Sequence, residues 1–66
     1  MENEFRKHHW RFFPDKDEDC INVYEERDGD VIGGIYDYNL DELKEMIEDY
    51  SESELYDFIC NVIEWY

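Results

Sequence analysis

The sequence predicts an α+β fold, a three-stranded antiparallel β-meander followed by two C-terminal helices packed on it. Three observations carry this. Runs rich in aromatic and β-branched residues occupy the first half of the chain. An Asp28-Gly29 dipeptide separates two of them and suits the positive φ angles of a tight hairpin turn. In the second half, two capping-box sequences each precede an apolar stripe of helical period.

Residues 5–13, Phe-Arg-Lys-His-His-Trp-Arg-Phe-Phe, bounded by Pro14-Asp15, read as the first strand, with a short helix as the competing reading. Residues 20–27 read as the second strand and residues 31–37 as the third. A two-residue loop at Asp28-Gly29 sets Arg27 opposite Asp30. Val23 then opposes Gly34, Ile21 opposes Tyr36 and Glu25 opposes Ile32, all on one face. The Gly33-Gly34 pair marks a bulge or a close approach by another element. Asn39 with Glu42, flanked by Tyr38 and Leu43, opens a helix over about residues 40–50. Ser51 with Glu54, flanked by Tyr50 and Leu55, opens a second over 52–66. Leu40, Leu43, Ile47 and Tyr50 line one face of the first helix. Leu55, Phe58, Ile59, Val62, Ile63 and Tyr66 line the second, with Cys60 beside them as a small core residue.

One domain spanning 1–66 is expected. A chain of this size buries only about 60% of its unfolded surface, so it has little room for a core and an enclosed catalytic pocket together. Disorder fits poorly, because 18% of the residues are aromatic and only one is proline. No long apolar span or secretory leader pattern is present in the sequence, and a cytoplasmic location with reduced Cys20 and Cys60 is expected.

Charge is the dominant feature. Twenty acids against six Lys and Arg leave a formal net charge of −14, well beyond the magnitude of about 2–8 that suffices for solubility in a small domain. Residues 1–16 hold four bases and three acids, a net of +1, whereas residues 17–66 hold 17 acids against Arg27 and Lys44, a net of −15. Three reasons for the excess are open: a basic partner, a high-salt cytoplasm, or chance. Such a surface repels nucleic acid and anionic lipid, so neither is an expected direct ligand.

Asp41, Glu45, Glu48 and Glu52 recur at helical spacings of three and four, flanked by Glu42 and Asp49. Side chains at those spacings are neighbours about 5–6 Å apart at Cβ, comparable to successive phosphates of a nucleic-acid strand. The hairpin acids Glu25, Glu26, Asp28 and Asp30 extend the same character. These ten residues are the candidate partner-binding surface, and a solvated face that happens to be acidic is the plain alternative. The expected partner is a basic nucleic-acid-binding protein or nuclease complex, with the protein acting as a monomer or homodimer.

Other constellations point away from chemistry. Asp15, Asp17, Asp19 and Glu26 superficially match a calcium loop, but Cys20 stands where that loop needs glycine. His8 and His9 are adjacent and, in a strand, would face opposite ways, and neither cysteine gives paired zinc-ligand spacing. No cofactor, metal or enzyme activity is expected. Trp10, Tyr24, Tyr36, Tyr56, Trp65 and Tyr66 exceed what one small core needs, so one or two could anchor a partner.

In size, charge and strand-plus-helix layout, the chain resembles the small acidic proteins that phages use against bacterial defence, including DNA-mimicking anti-CRISPR proteins. Ile47-Glu-Asp-Tyr-Ser-Glu-Ser-Glu-Leu55, running on to Phe58-Ile59, is similar to the first helix of colicin-type nuclease immunity proteins. That family is wholly helical and carries a paired-tyrosine motif absent here. Both resemblances imply an acidic inhibitor of a protein that handles nucleic acid. A small adaptor docking through its aromatics and basic first strand is the alternative from another class.

Overall fold

The computed structural model describes residues 4–66. Phe5–Lys7 (β1), Trp10–Pro14 (β2), Ile21–Glu25 (β3) and Asp30–Ile35 (β4) form consecutive antiparallel hairpins, followed by helices Leu40–Ile47 (α1) and Glu52–Val62 (α2). A last strand, Ile63–Trp65 (β5), closes the chain, and the sheet runs β1-β2-β3-β4-β5 in spatial order. The α+β class, the antiparallel meander and the two helices are as expected. The strand count is five, not three, and the chain ends on a strand, not a helix.

The first correction lies in residues 5–13, which are two strands. Phe5 pairs with Phe12 and Lys7 with Trp10, and His8 turns the chain with a φ of 57°. Histidine tolerates the left-handed region better than most residues, so this turn carries none of the usual Asn-Gly or Asp-Gly markers. The fold fixes it with two hydrogen bonds. Lys7 donates its ammonium to the Glu48 carbonyl, and the His8 ring meets the Tyr50 carbonyl at 3.0 Å. The hairpin tip thereby satisfies backbone acceptors at and just beyond the C-terminus of α1, where positive charge is also favoured.

The second correction concerns register. Glu25, not Arg27, opposes Asp30, so the β3–β4 loop is Glu26–Gly29. Gly29 takes φ +71° and donates to the Glu25 carbonyl at 2.8 Å, while Asp28 keeps a negative φ. Glu25 is the cause: its carboxylate accepts the Arg27 backbone N–H at 3.0 Å and holds a wider loop. The register shifts again between Val23 and Tyr24, after which Val23 meets Gly33 and Ile21 meets Ile35. A one-residue slip exchanges the two faces of a strand. Ile35 accordingly enters the core and Tyr36 faces solvent.

Both helices begin as read. Asn39 and Ser51 each accept from the backbone N–H three residues on, and Glu42 and Glu54 reciprocate. Each helix stops early, α1 at Ile47 and α2 at Val62. Beyond α2, Val62-Ile63-Glu64-Trp65 combines β-branched and aromatic residues that suit a pleated surface. Ile63 pairs with Ile35 and Trp65 with Gly33, and the Tyr66 N–H continues to the Ile32 carbonyl at 3.2 Å. The element that approaches the glycine pair is therefore β5. A Cβ on Gly33 would stand 2.4 Å from the Glu64 carbonyl oxygen.

The core lies between the sheet and the helices. Trp10, Phe12, Ile21, Val23 and Ile35 from the sheet meet Leu43, Ile47, Leu55 and Ile59 from the helices, with Ile63 at the edge. Phe5, Tyr38, Leu40, Tyr50, Phe58 and Val62 pack around it. Cys60, expected in the core, is exposed, whereas Cys20 is buried, and both thiols are free. Among the described residues, no helix is long and apolar enough to cross a membrane.

Candidate acidic interface

Helix α1 sends Leu43 and Ile47 into the core, and this fixes which way its remaining side chains point. Asp41, Glu42 and Glu45 on α1, Glu48 at its C-cap, Asp49 beyond it and Glu52 at the start of α2 are all exposed, together with Lys44, so the expected row does not run along a single helix. Among the described residues, none of the first five carboxylates forms an ion pair. Glu52 approaches one, its Oε1 lying 3.6 Å from His9 Nδ1. Glu42 also accepts the Asn39 N–H at 3.1 Å, closing the capping box.

The helix gains from only part of this charge. Asp41 and Glu42 occupy the first turn, where negative charge is favoured by the macrodipole. Glu45, Glu48 and Asp49 stand at or beyond the last turn, where it is disfavoured. Lys44 in the last turn and Lys7, whose ammonium meets the Glu48 carbonyl, stand beside them, while the three arginines are used elsewhere. Arg6 clamps Glu26 at 2.7 and 2.8 Å, Arg11 holds Glu4 at 2.8 Å and lies over the Tyr24 ring, and Arg27 sits against Glu25 and His9. The local surface of α1 thus stays net negative, and the acids of its last turn and C-cap go beyond what the helix dipole favours.

The four hairpin acids separate into two pairs. Asp28 and Asp30 are exposed at the β3–β4 loop, with Asp30 accepting the Val31 N–H at 2.9 Å. Glu26 is half-buried, and its hydrogen bonds from Arg6 hold its carboxyl below the usual carboxylate range. Glu25 is buried at 8% exposure and points inward. One oxygen takes the Arg27 N–H, and the other lies 3.1 Å from His9 Nε2. The His9 ring lies against Trp10, tilted by 37°, with centroids 3.7 Å apart. Glu25 and Glu26 therefore anchor the two hairpins to each other. Strand alternation placed Glu25 on the same face as Ile21 and Val23, and that face is the covered one.

The Asp15–Glu18 turn uses two of its acids, Asp15 and Glu18, internally. Asp15 accepts the Asp17 and Glu18 backbone N–H groups and the Asn22 side-chain amide, which hold its carboxyl below its ordinary range. Glu18 accepts the Tyr36 hydroxyl, and that bond pushes the phenol well above its ordinary pKa. Tyr66 crosses the open sheet face to donate to Asn22 Oδ1 at 2.6 Å. Among the described residues, no group of three or more His, Cys, Asp or Glu side chains is arranged to hold a metal ion.

Of the aromatics singled out from sequence, Trp10 is core and Tyr24 half-buried, while Tyr36, Tyr56, Trp65 and Tyr66 are exposed. The segment similar to an immunity-protein helix spans the end of α1, the bend at Ser51 and most of α2, within a chain that also carries a five-stranded sheet. Comparison with known proteins finds no matching family, no matching sequence and no matching solved structure.

Proposed function

We propose that this protein is a non-enzymatic inhibitor that occupies the nucleic-acid-binding surface of a DNA- or RNA-acting protein, in the manner of anti-CRISPR or anti-restriction nucleic-acid mimics. The observation that carries the reading is the group Asp41, Glu42, Glu45 and Glu48 on α1 and its C-cap: exposed carboxylates at helical spacing, free of ion pairs among the described residues, and partly opposed to the helix dipole. Lys and Arg side chains that normally grip phosphates would meet Asp41, Glu42, Glu45, Glu48, Asp49 and Glu52, with Asp28 and Asp30 beyond them. Charge steers such an encounter and makes it fast and salt-sensitive. Bidentate arginine–carboxylate pairs supply its specificity.

Changing Glu45 and Glu48 to Lys tests the site. Two reversals take the net charge from −14 to about −10 and put like charges against the partner's bases, which is strongly unfavourable. Affinity for the target is expected to fall by more than about tenfold in low salt. Circular dichroism should show unchanged folding, since both residues are exposed. Undiminished binding by the folded double variant would remove α1 from the interface.

A second reading rests on a separate observation. Trp65 and Tyr56 are 59% and 54% exposed, and such side chains dominate interface hot spots. An adaptor docking through them would bind with little dependence on ionic strength.

A further inference from the structure

We propose that the cleft between the β2–β3 turn and the β4–α1 connection receives an arginine side chain of a protein partner. The cleft has a volume of about 330 Å³, at the small end of the range for ligand sites. Beside Cys20 and Asn39, its lining divides chemically into three parts. Pro14, Ile21 and Leu40 are apolar, Tyr36 and Tyr38 are aromatic, and Asp19 and Asp37 are acidic. A side chain that satisfies all three has an aliphatic stem, a flat face and a positive, multiply donating head. Arginine is that side chain: its stem packs on apolar surface, and its guanidinium stacks on aromatic rings and forks onto carboxylates. Lysine lacks the flat face, and a phosphate or nucleotide would be repelled by the two acids.

The cleft's acids differ from their neighbours. Asp15 and Glu18 are taken up by backbone amides, Asn22 and Tyr36. Asp19 and Asp37 have no hydrogen bond or ion pair among the described residues. Both sides of the cleft are also braced. Asp15 and Cys20 are joined by a backbone hydrogen bond of 2.9 Å, the Tyr36 hydroxyl is tied to Glu18, and Asn39 caps α1. The site therefore needs little ordering on binding, which favours affinity. A shallower depression of about 250 Å³, bordered by Pro14, Asn39, Leu40 and Asp41, leads from the cleft to the first turn of α1. An arginine seated here would belong to the same footprint as the acidic helix.

The choice of a basic protein as the source of the arginine rests on the proposed function, but the test does not require that partner. Isotope-labelled protein would be titrated with Gly-Arg-Gly and Gly-Lys-Gly amides while backbone amide resonances are followed by NMR. Saturable shifts are expected at residues 19–21 and 36–41, with a dissociation constant on the order of millimolar for so small a ligand. The arginine peptide should bind more tightly than the lysine peptide. Asp19→Asn with Asp37→Asn should abolish the saturation while leaving the rest of the spectrum in place. Equal binding of both peptides, shifts scattered along α1, or no saturation would overturn the proposal. Those results are separable from the fate of the mimicry reading, which is decided by Glu45→Lys with Glu48→Lys.

Discussion

Gly33→Val is expected to unfold the protein. A Cβ at Gly33 would lie 2.4 Å from the Glu64 carbonyl oxygen and 2.7 Å from Ile63 Cγ1. The first of these neighbours is backbone and cannot rotate away. Either β5 leaves the sheet, taking the buried Ile63 with it, or β4 moves and opens the core around Ile35. Overpacking costs typically about 1–3 kcal/mol and more where backbone must shift, against a total stability of about 3–5 kcal/mol for a domain of this size. Gly34→Ala is a graded control. Its Cβ would meet the Tyr66 hydroxyl at 3.0 Å and Cys20 Sγ at 3.2 Å, and Tyr66 is an exposed side chain that can swing out. Thermal melts followed by circular dichroism should therefore show no cooperative transition for Gly33→Val and a lowered one for Gly34→Ala. A wild-type melt for Gly33→Val would mean that β5 is not docked.

Trp10→Ala should be nearly as damaging. Trp10 is 2% exposed, and its ring lies 6.2 Å from that of Tyr56 and against His9. Removing a buried tryptophan costs about 3–5 kcal/mol through lost contacts and the cavity left behind. Here it would also uncover His9, whose ring pairs with the buried Glu25. Urea titrations should give a midpoint near zero denaturant for Trp10→Ala. Trp65→Ala, at an exposed edge position, should stay close to wild type. The reverse ranking would place the core elsewhere.

These two residues show how far the sequence reaches. The capping boxes at Asn39 and Ser51 were legible because their signals are local: a side chain and a backbone amide three residues apart. The core stripes of α1 and α2 followed from them. Strand ends were not legible, because long-range partners decide them. Ile63 fits the α2 stripe as well as it fits a strand, and the free edge of β4 beside two glycines settles the matter. The His8 turn carries no residue that announces it, and it is held by carbonyls at Glu48 and Tyr50, over forty residues away. Asp28-Gly29 predicted a tighter loop than forms, because the Glu25 carboxylate binds the Arg27 amide.

The candidate interface was legible to a similar degree. Helical spacing grouped Asp41, Glu42, Glu45 and Glu48 on α1 and its C-cap, and all four are exposed, whereas Asp49 lies past the helix end and Glu52 opens α2. Composition alone could not separate Glu25 and Glu26 from Asp28 and Asp30, since the difference is whether Arg6, His9 and Arg27 reach them. The cleft at Asp19 and Asp37 was invisible for the same reason. Its two sides are separated in sequence and are brought together by the β2–β3 and β3–β4 hairpins.

The central claim is that α1 offers carboxylates to a surface built for phosphates. Affinity capture from bacterial lysate tests it most directly, with tagged protein, bound proteins identified by mass spectrometry, and elution by a salt gradient or by duplex DNA. The account predicts a basic nucleic-acid-binding protein or nuclease complex, released by moderate salt and displaced by DNA, since counterion and phosphate both compete for the same bases. Partners that withstand molar salt and ignore DNA would contradict it, and would shift attention to Trp65 and Tyr56.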